Sequence, residues 1–466
     1  RCRVEKCPAR GGITIFKGLT ERNVTMTQND GNQCAAVFIH GLKLAAVPPE
    51  VIRRAKLCLL DLAGACLAGA DVKGARILLD FAMSQMTGAG EATVIRAGRK
   101  LPRVSAALVN GFIANALDID DGYRLIKGHP GAAVFPAVLA AAEKEDATGK
   151  ALLEALIVGY EIAIRAGVIL HGHYGFYHGS GSWGAIGSAA GVARLLGLSQ
   201  EQTRHALGIA ESYAPLVPEI RAVENPSMAP KDGIPWGAMV GMSAALLASN
   251  GYTGIPSLLG DPERNADVFT LGREFRMMRL YFKPYPCCRW AHPAIDGLRE
   301  IMAREGLTRE RIARIRIRSF SEAVKLCRMP PTTLEEAEYN VLYPVAVTAL
   351  HGEFTPQHLR EEYYGRPDVK AMMAVMEITA DPAIQERFPE QCLAEVEVAT
   401  TEGKICASGL MAAKGDFDNP LTEEELRGKF RLITRGILDE EQTRGLLELV
   451  DHIEERKVGD LLSYLA

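Results

Sequence analysis

Ile312-Ala-Arg-Ile-Arg-Ile-Arg-Ser-Phe320 decides how this chain of 466 residues is built. Apolar and basic residues alternate through it, the period-two signature of a strand with one buried face and one wet face. Val375-Met-Glu-Ile-Thr379 and Ala394-Glu-Val-Glu-Val-Ala-Thr400 repeat the pattern. Thr401-Glu-Gly-Lys404 reads as a turn, with Ile405 to Met411 as the hairpin partner. Helical stretches at Pro293 to Glu305 and Tyr343 to His351 lie between these strands. Residues 276–414 are therefore predicted to form an α+β lid domain.

Upstream the period changes. From Pro48 to Ser249 the pattern is helical almost throughout, with no clear alternating strand. Pro49 stands in a first-turn position before a stretch that is apolar on most faces. Ser199-Gln-Glu-Gln202 is a capping-box pattern ahead of Arg204 to Tyr213. The tail, Thr422 to Leu465, is again amphipathic helix. The predicted fold is mainly α, a large all-α domain over residues 31–275 with 415–466 plus the smaller lid. Residues 1–30 lack an apolar signal core and are predicted to be a disordered extension.

Composition narrows the classes. Apolar content of 48% and charged content of 24% are those of a soluble globular protein. A net charge of −4 excludes a broad nucleic-acid surface, because phosphate binding needs a basic excess. The ten cysteines are scattered and Cys287 and Cys288 are adjacent, which reads as a reduced, cytoplasmic chain without structural zinc. Two windows, Ala166 to Ala193 and Gly233 to Gly260, contain no charged residue. Their Gly, Ser, His, Pro and Asn content suits buried helices rather than lipid, so no membrane partner is expected.

Four segments carry the chemistry. The first, Asp118-Ile-Asp-Asp-Gly-Tyr-Arg-Leu-Ile-Lys-Gly-His-Pro-Gly131, places Asp118, Asp120 and Asp121 where a helix ends, eight to eleven positions before His129. Carboxylates there oppose the helix dipole, and clustered like charges push pKa values apart as acid–base work requires. The others are Gly175-Phe-Tyr-His-Gly-Ser-Gly-Ser-Trp-Gly184, Lys231-Asp-Gly-Ile-Pro-Trp-Gly237 and Phe282-Lys-Pro-Tyr-Pro-Cys-Cys-Arg-Trp-Ala-His292. Together they supply carboxylates, histidines, lysines and an arginine, an inventory for proton transfer on a small anionic substrate.

In order and spacing these segments resemble the MmgE/PrpD superfamily of 2-methylcitrate dehydratases, cis-aconitate decarboxylases and iminodisuccinate epimerases. Leu60-Asp-Leu-Ala-Gly-Ala-Cys-Leu-Ala-Gly69 and Asn419-Pro-Leu-Thr-Glu-Glu-Glu-Leu426 add to the likeness, which spans Leu44 to Leu465. The resemblance implies a helical domain with an α+β lid, a homodimer, and chemistry without metal or organic cofactor. Its site would map onto Asp118, His129, His178 and Tyr343 as catalytic residues. Lys231 and Lys283 would bind substrate carboxylates, and Arg289 beside them has the planar fork for the same task. Two departures stand out: Tyr123 occupies a position where many members carry histidine, and Cys288 one where the dehydratases do. The expected reaction starts with proton abstraction α to a carboxylate by His129 or Asp118. A hydro-lyase is favoured, with epimerase or decarboxylase on the same scaffold as the alternative, and a non-catalytic carboxylate-binding protein as the reading from another class.

Overall fold

A computed structural model describes residues 30–229, 231–326 and 329–466. The extension expected over residues 1–30 lies outside them except for Asp30. Ten helices build the first part: α1 (Gly31–Gly41), α2 (Pro49–Gly69), α3 (Lys73–Gln85), α4 (Arg103–Asn115), α5 (Pro130–Lys144), α6 (Gly149–His173), α7 (Gly181–Leu195), α8 (Gln200–Tyr213), α9 (Glu219–Glu224) and α10 (Ile234–Ser249). Pro49 begins α2 in its first turn, and Ser199 caps α8 with the reciprocal Gln202 contact of a capping box.

Small residues let these helices approach at backbone distance. A Cβ on Gly187 of α7 would sit 2.5 Å from Ala163 Cβ and 2.6 Å from Gly159 O, both on α6. One on Gly237 of α10 would meet Gly181 at 2.7 Å. Each uncharged window, read as buried helix, is so in part: α7 and α10 pack on one another, while Tyr174 and Phe176 in the first and Tyr252 and Ile255 in the second lie in exposed loops. Among the described residues no helix is long and apolar enough to cross a membrane. A hairpin, β1 (Ala92–Val94) with β2 (Arg99–Leu101), interrupts the half read as wholly helical. Strands of three residues are too short to show alternation, which is why periodicity missed them.

Beyond Ala291, α11 (His292–Glu305) lies against a four-stranded sheet of β3 (Ile312–Ser319), β4 (Met376–Ala380), β5 (Leu393–Thr400) and β6 (Ile405–Ala412). The order is β4-β3-β5-β6, with β3 and β4 parallel and the other pairs antiparallel. Alternation in β3 does what period two demands. Ile315 and Ile317 are buried, while Arg314, Arg316 and Arg318 face water and pair across strands with Glu377, Glu397 and Glu395.

The buried apolar residues form two principal clusters. One joins α1 to α10 with the C-terminal helices, and the other fills the space around the sheet, α11 and the helix Leu342–His351. The helix Glu423–Ile433 returns to α2, where Phe430 packs on Gly64. Lys429 of the same helix reaches Asp61 at 2.5 Å and the Ile119 carbonyl at 2.7 Å. That contact pins the tail beneath the segment carrying Asp118, Asp120 and Asp121.

Candidate active site

The acidic segment begins where α4 stops. Asp118 takes a left-handed backbone, φ 46°, a conformation aspartate tolerates better than most residues, and its N–H donates to Asn115 O at 3.1 Å. The chain turns so sharply that the three carboxylates diverge. Asp121 points inward, accepting from the Tyr160 hydroxyl and from Gly131 N–H at 3.1 Å. Asp120 accepts from Asn115 Nδ2 at 2.9 Å and faces His129 Nδ1 at 3.1 Å. Asp118 faces the other ring nitrogen, its Oδ1 3.3 Å from His129 Nε2.

His129 is therefore clamped between two carboxylates. It precedes Pro130 at the start of α5, and its N–H donates to Ser180 Oγ at 2.9 Å. Burial disfavours the imidazolium, but Asp120 and Asp118 outweigh both burial and the repulsion of Lys283, raising His129 to about 9. Asp118 is also buried, which alone would raise it; Lys283 and His129 instead hold it below the usual carboxylate range. Asp121 has no such cation, and burial with Asp61 nearby pushes it up to about 7.

Lys283 comes from the segment leading to α11. Its Nζ lies 2.5 Å from Asp118 Oδ1 and donates to the Asp118 carbonyl at 2.9 Å. An antiparallel bridge between Gly122 and Tyr281 brings the two segments together. Arg289 sits over the Tyr281 ring, 4.8 Å from its centroid, and pairs with Asp416. Arg124 reaches the same Asp416 at 3.2 Å and Asp418 at 2.8 Å. Asp118, His129, Lys283 and Arg289 line one cavity, together with Trp290 and Phe388.

The cavity also recruits residues that sequence reasoning did not single out. Arg124 and Lys127 stand inside the His129 segment, and Asp232 is the neighbour of Lys231. Glu219 and Tyr339 belong to no motif and arrive only through folding. Glu219 is buried, hydrogen-bonded to Asp232, and raised well above the ordinary carboxylate range by burial and that neighbour.

Three expected positions stand away from the cavity lining. Tyr343 is fully buried in the sheet-side core, stands edge-on to Phe354, and gives its hydroxyl hydrogen to His358 O. A phenol spent in this way does not reach the cavity. Lys231 lies behind the wall, its Nζ 2.5 Å from Glu338 Oε2 and 2.9 Å from Ala116 O. Burial opposes its charge, but Glu338 raises it further, so it stays charged without facing the cavity. His178 is buried with its ring 4.0 Å from that of Phe176. Burial, with His171 beside it, pushes it down to about 4, which keeps it neutral.

The two departures resolve differently. Tyr123 is buried against the helical core and is absent from the cavity wall. Cys288 does line the cavity, but burial and Asp118 push its thiol up to about 12, so it is a neutral SH. His292, pushed down to about 3 by burial and Lys283, is held by Cys287 O at 3.1 Å and is not among the cavity-lining residues.

Asp118, Asp120 and His129 could offer a metal three ligand atoms within 4.8 Å of one another. The donor set fits such an ion poorly. The two carboxylates face opposite nitrogens of one ring, and the Lys283 ammonium already lies 2.5 Å from Asp118.

The family model described as the MmgE/PrpD N-terminal domain matches residues 33–278, and that for the MmgE/PrpD C-terminal domain matches 285–455. The chain belongs to the MmgE/PrpD family. The boundary between the two matches falls at residues 279–284, where the Lys283 segment crosses from one apolar cluster to the other. The chain is 26% identical to the cis-aconitate decarboxylase-like protein oryM of Aspergillus oryzae, over 95% of this chain and 99% of that one. It is 26% identical to cis-aconitate decarboxylase of Homo sapiens, over 92% and 93%. A mitochondrial 2-methylcitrate dehydratase of Yarrowia lipolytica is 25% identical over 76% of this chain and 73% of its own. MmgE/PrpD relatives with both names are lyases, one releasing carbon dioxide and the other water.

Proposed function

We propose that the chain is a lyase of small di- or tricarboxylates in which His129 delivers a proton rather than removing one. The observation that carries this reading is the double carboxylate clamp on His129, with Asp118 and Asp120 at opposite ring nitrogens. Held near 9, the imidazole enters the reaction charged at neutral pH, and the group facing substrate is an acid. Lys283, Arg289, Arg124 and Lys127 supply cations for the substrate's carboxylates.

An acid-first site suits decarboxylation of a β,γ-unsaturated polycarboxylate. The bond to the departing carboxylate breaks, and its electron pair becomes a new double bond. The old π pair takes the His129 proton at the γ carbon, and carbon dioxide leaves. One solvent proton is consumed per turnover. The decarboxylase names among the relatives support this choice over the hydro-lyase expected from sequence. Elimination of water is the second reading, favoured by Asp232, whose Oδ2 lies 3.9 Å from His129 Nε2 and can receive a proton. Cys288 weighs against it, because a neutral thiol stands where the dehydratases carry histidine.

The test is NMR of reactions in deuterated buffer with cis-aconitate, citrate, methylcitrate and iminodisuccinate. The expected result is carbon dioxide release from cis-aconitate with one deuterium in the product. Conversion of citrate or methylcitrate to an unsaturated acid would favour dehydration, and solvent deuterium entering iminodisuccinate without cleavage would favour epimerisation. Thermal stabilisation by all of them with no turnover would favour a carboxylate-binding protein.

A further inference from the structure

We infer that Glu219 and Asp232 together hold the proton that recharges His129 between turnovers, an inference that rests on the acid role proposed for His129. Decarboxylation leaves His129 neutral, and the site must restore its proton before the next substrate. The cavity wall contains one device suited to that task.

Glu219 opens α9, where its N–H donates to Tyr177 O at 3.0 Å, and Asp232 sits in a left-handed turn between Lys231 and Gly233. Both side chains are buried, at 2% and 4% exposure, and both line the cavity. Their side chains are hydrogen-bonded to each other. No lysine or arginine among the described residues forms an ion pair with either, since the Nζ of adjacent Lys231 is committed to Glu338. The cation facing the pair is His129 itself, its Nε2 3.9 Å from Asp232 Oδ2; the other neighbours, Asp118 and the phenols of Tyr177 and Tyr339, are not cations. Two buried carboxyls in contact beside a single imidazolium keep one proton between them, because that one cation does not balance the dianion.

The path to His129 is short. Asp232 Oδ2 lies 3.9 Å from His129 Nε2 and accepts from Ser180 Oγ at 2.9 Å, the hydroxyl that also takes the His129 N–H. Glu219 Oε2 is buried and has no partner among the described residues. Gly179 leaves room for it, since a Cβ there would stand 3.0 Å from that oxygen. After His129 gives its proton to substrate carbon, the shared proton passes from the carboxyl pair through Asp232 to Nε2. The pair, now doubly charged, takes a proton from water once product leaves, so each turnover draws one proton from solvent.

Rapid-quench kinetics with cis-aconitate tests this. The wild type should form product linearly over many turnovers. Glu219→Gln keeps shape and a hydrogen-bond donor but holds no transferable proton. It should give one equivalent of product per site at close to the wild-type rate, then a steady state slower by roughly tenfold or more. Glu219→Asp should restore much of the steady state and remove the burst. Among the infrared bands of protonated carboxyls in neutral wild-type protein, one should be lost in Glu219→Gln and kept in Asp121→Asn. A Glu219→Gln enzyme with an unchanged steady state, or with its first turnover slowed as much as later ones, would overturn the inference. A wild type that leaves cis-aconitate untouched would overturn the acid role of His129 itself, which is a separate failure.

Discussion

His129 Nδ1 lies 3.1 Å from the buried carboxylate of Asp120, and this contact sets the charge of the imidazole at the centre of the site. Its folded pKa of about 9 lies above the ordinary histidine value. The stabilisation from the imidazolium is therefore full below pH ~6.5 and is lost as pH rises through about 9. Activity that needs the charged ring should fall over the same alkaline range. Asp120→Asn should move that limb of the kcat profile down by about one to two pH units. An alkaline limb that stays in place would detach Asp120 from the acid role.

Lys283 and Asp118 form a buried pair 2.5 Å apart, so removing the lysine strands a carboxylate in the interior. Lys283→Ala is expected to cut turnover by about a thousandfold or more. It should also lower stability by about 3–5 kcal/mol. Adding Asp118→Asn should recover most of the thermal midpoint and none of the activity. Thermal melts beside steady-state rates separate the two effects.

Tyr343→Phe should leave kcat unchanged, since the phenol is committed to His358 O inside the sheet-side core. Loss of that hydrogen bond is expected to cost about 1 kcal/mol in urea unfolding. A large fall in kcat without a change in stability would return Tyr343 to the reaction.

Turnover should survive EDTA, and the purified protein should carry no stoichiometric divalent ion. The reason is local: a dication among Asp118, Asp120 and His129 would meet the Lys283 ammonium 2.5 Å from Asp118. One equivalent of metal by elemental analysis, lost together with activity on chelation, would refute this.

The amino-acid order by itself determined the elements and their class. Period two in Ile312–Phe320 became β3, the small apolar residues from Gly181 onward became the interior helix α7, and the Ser199 capping box opened α8. These are local properties, decided by neighbours within a few residues. Asp118, His129, Lys283 and Arg289 were likewise legible, because each sits in a polar run set among apolar sequence, and all four meet in the cavity. Lys231, His178 and Tyr343 look equivalent to them in sequence, yet none of the three lines the cavity. Whether a lysine faces substrate or a buried glutamate depends on Glu338, more than a hundred positions away, and no local pattern encodes that partner. Glu219 and Asp232 are the converse case, since two carboxylates with no motif of their own come together, buried on one cavity wall, only through folding. Residue types and periods travel with the chain; burial, countercharge and the pKa values they set belong to the tertiary structure alone.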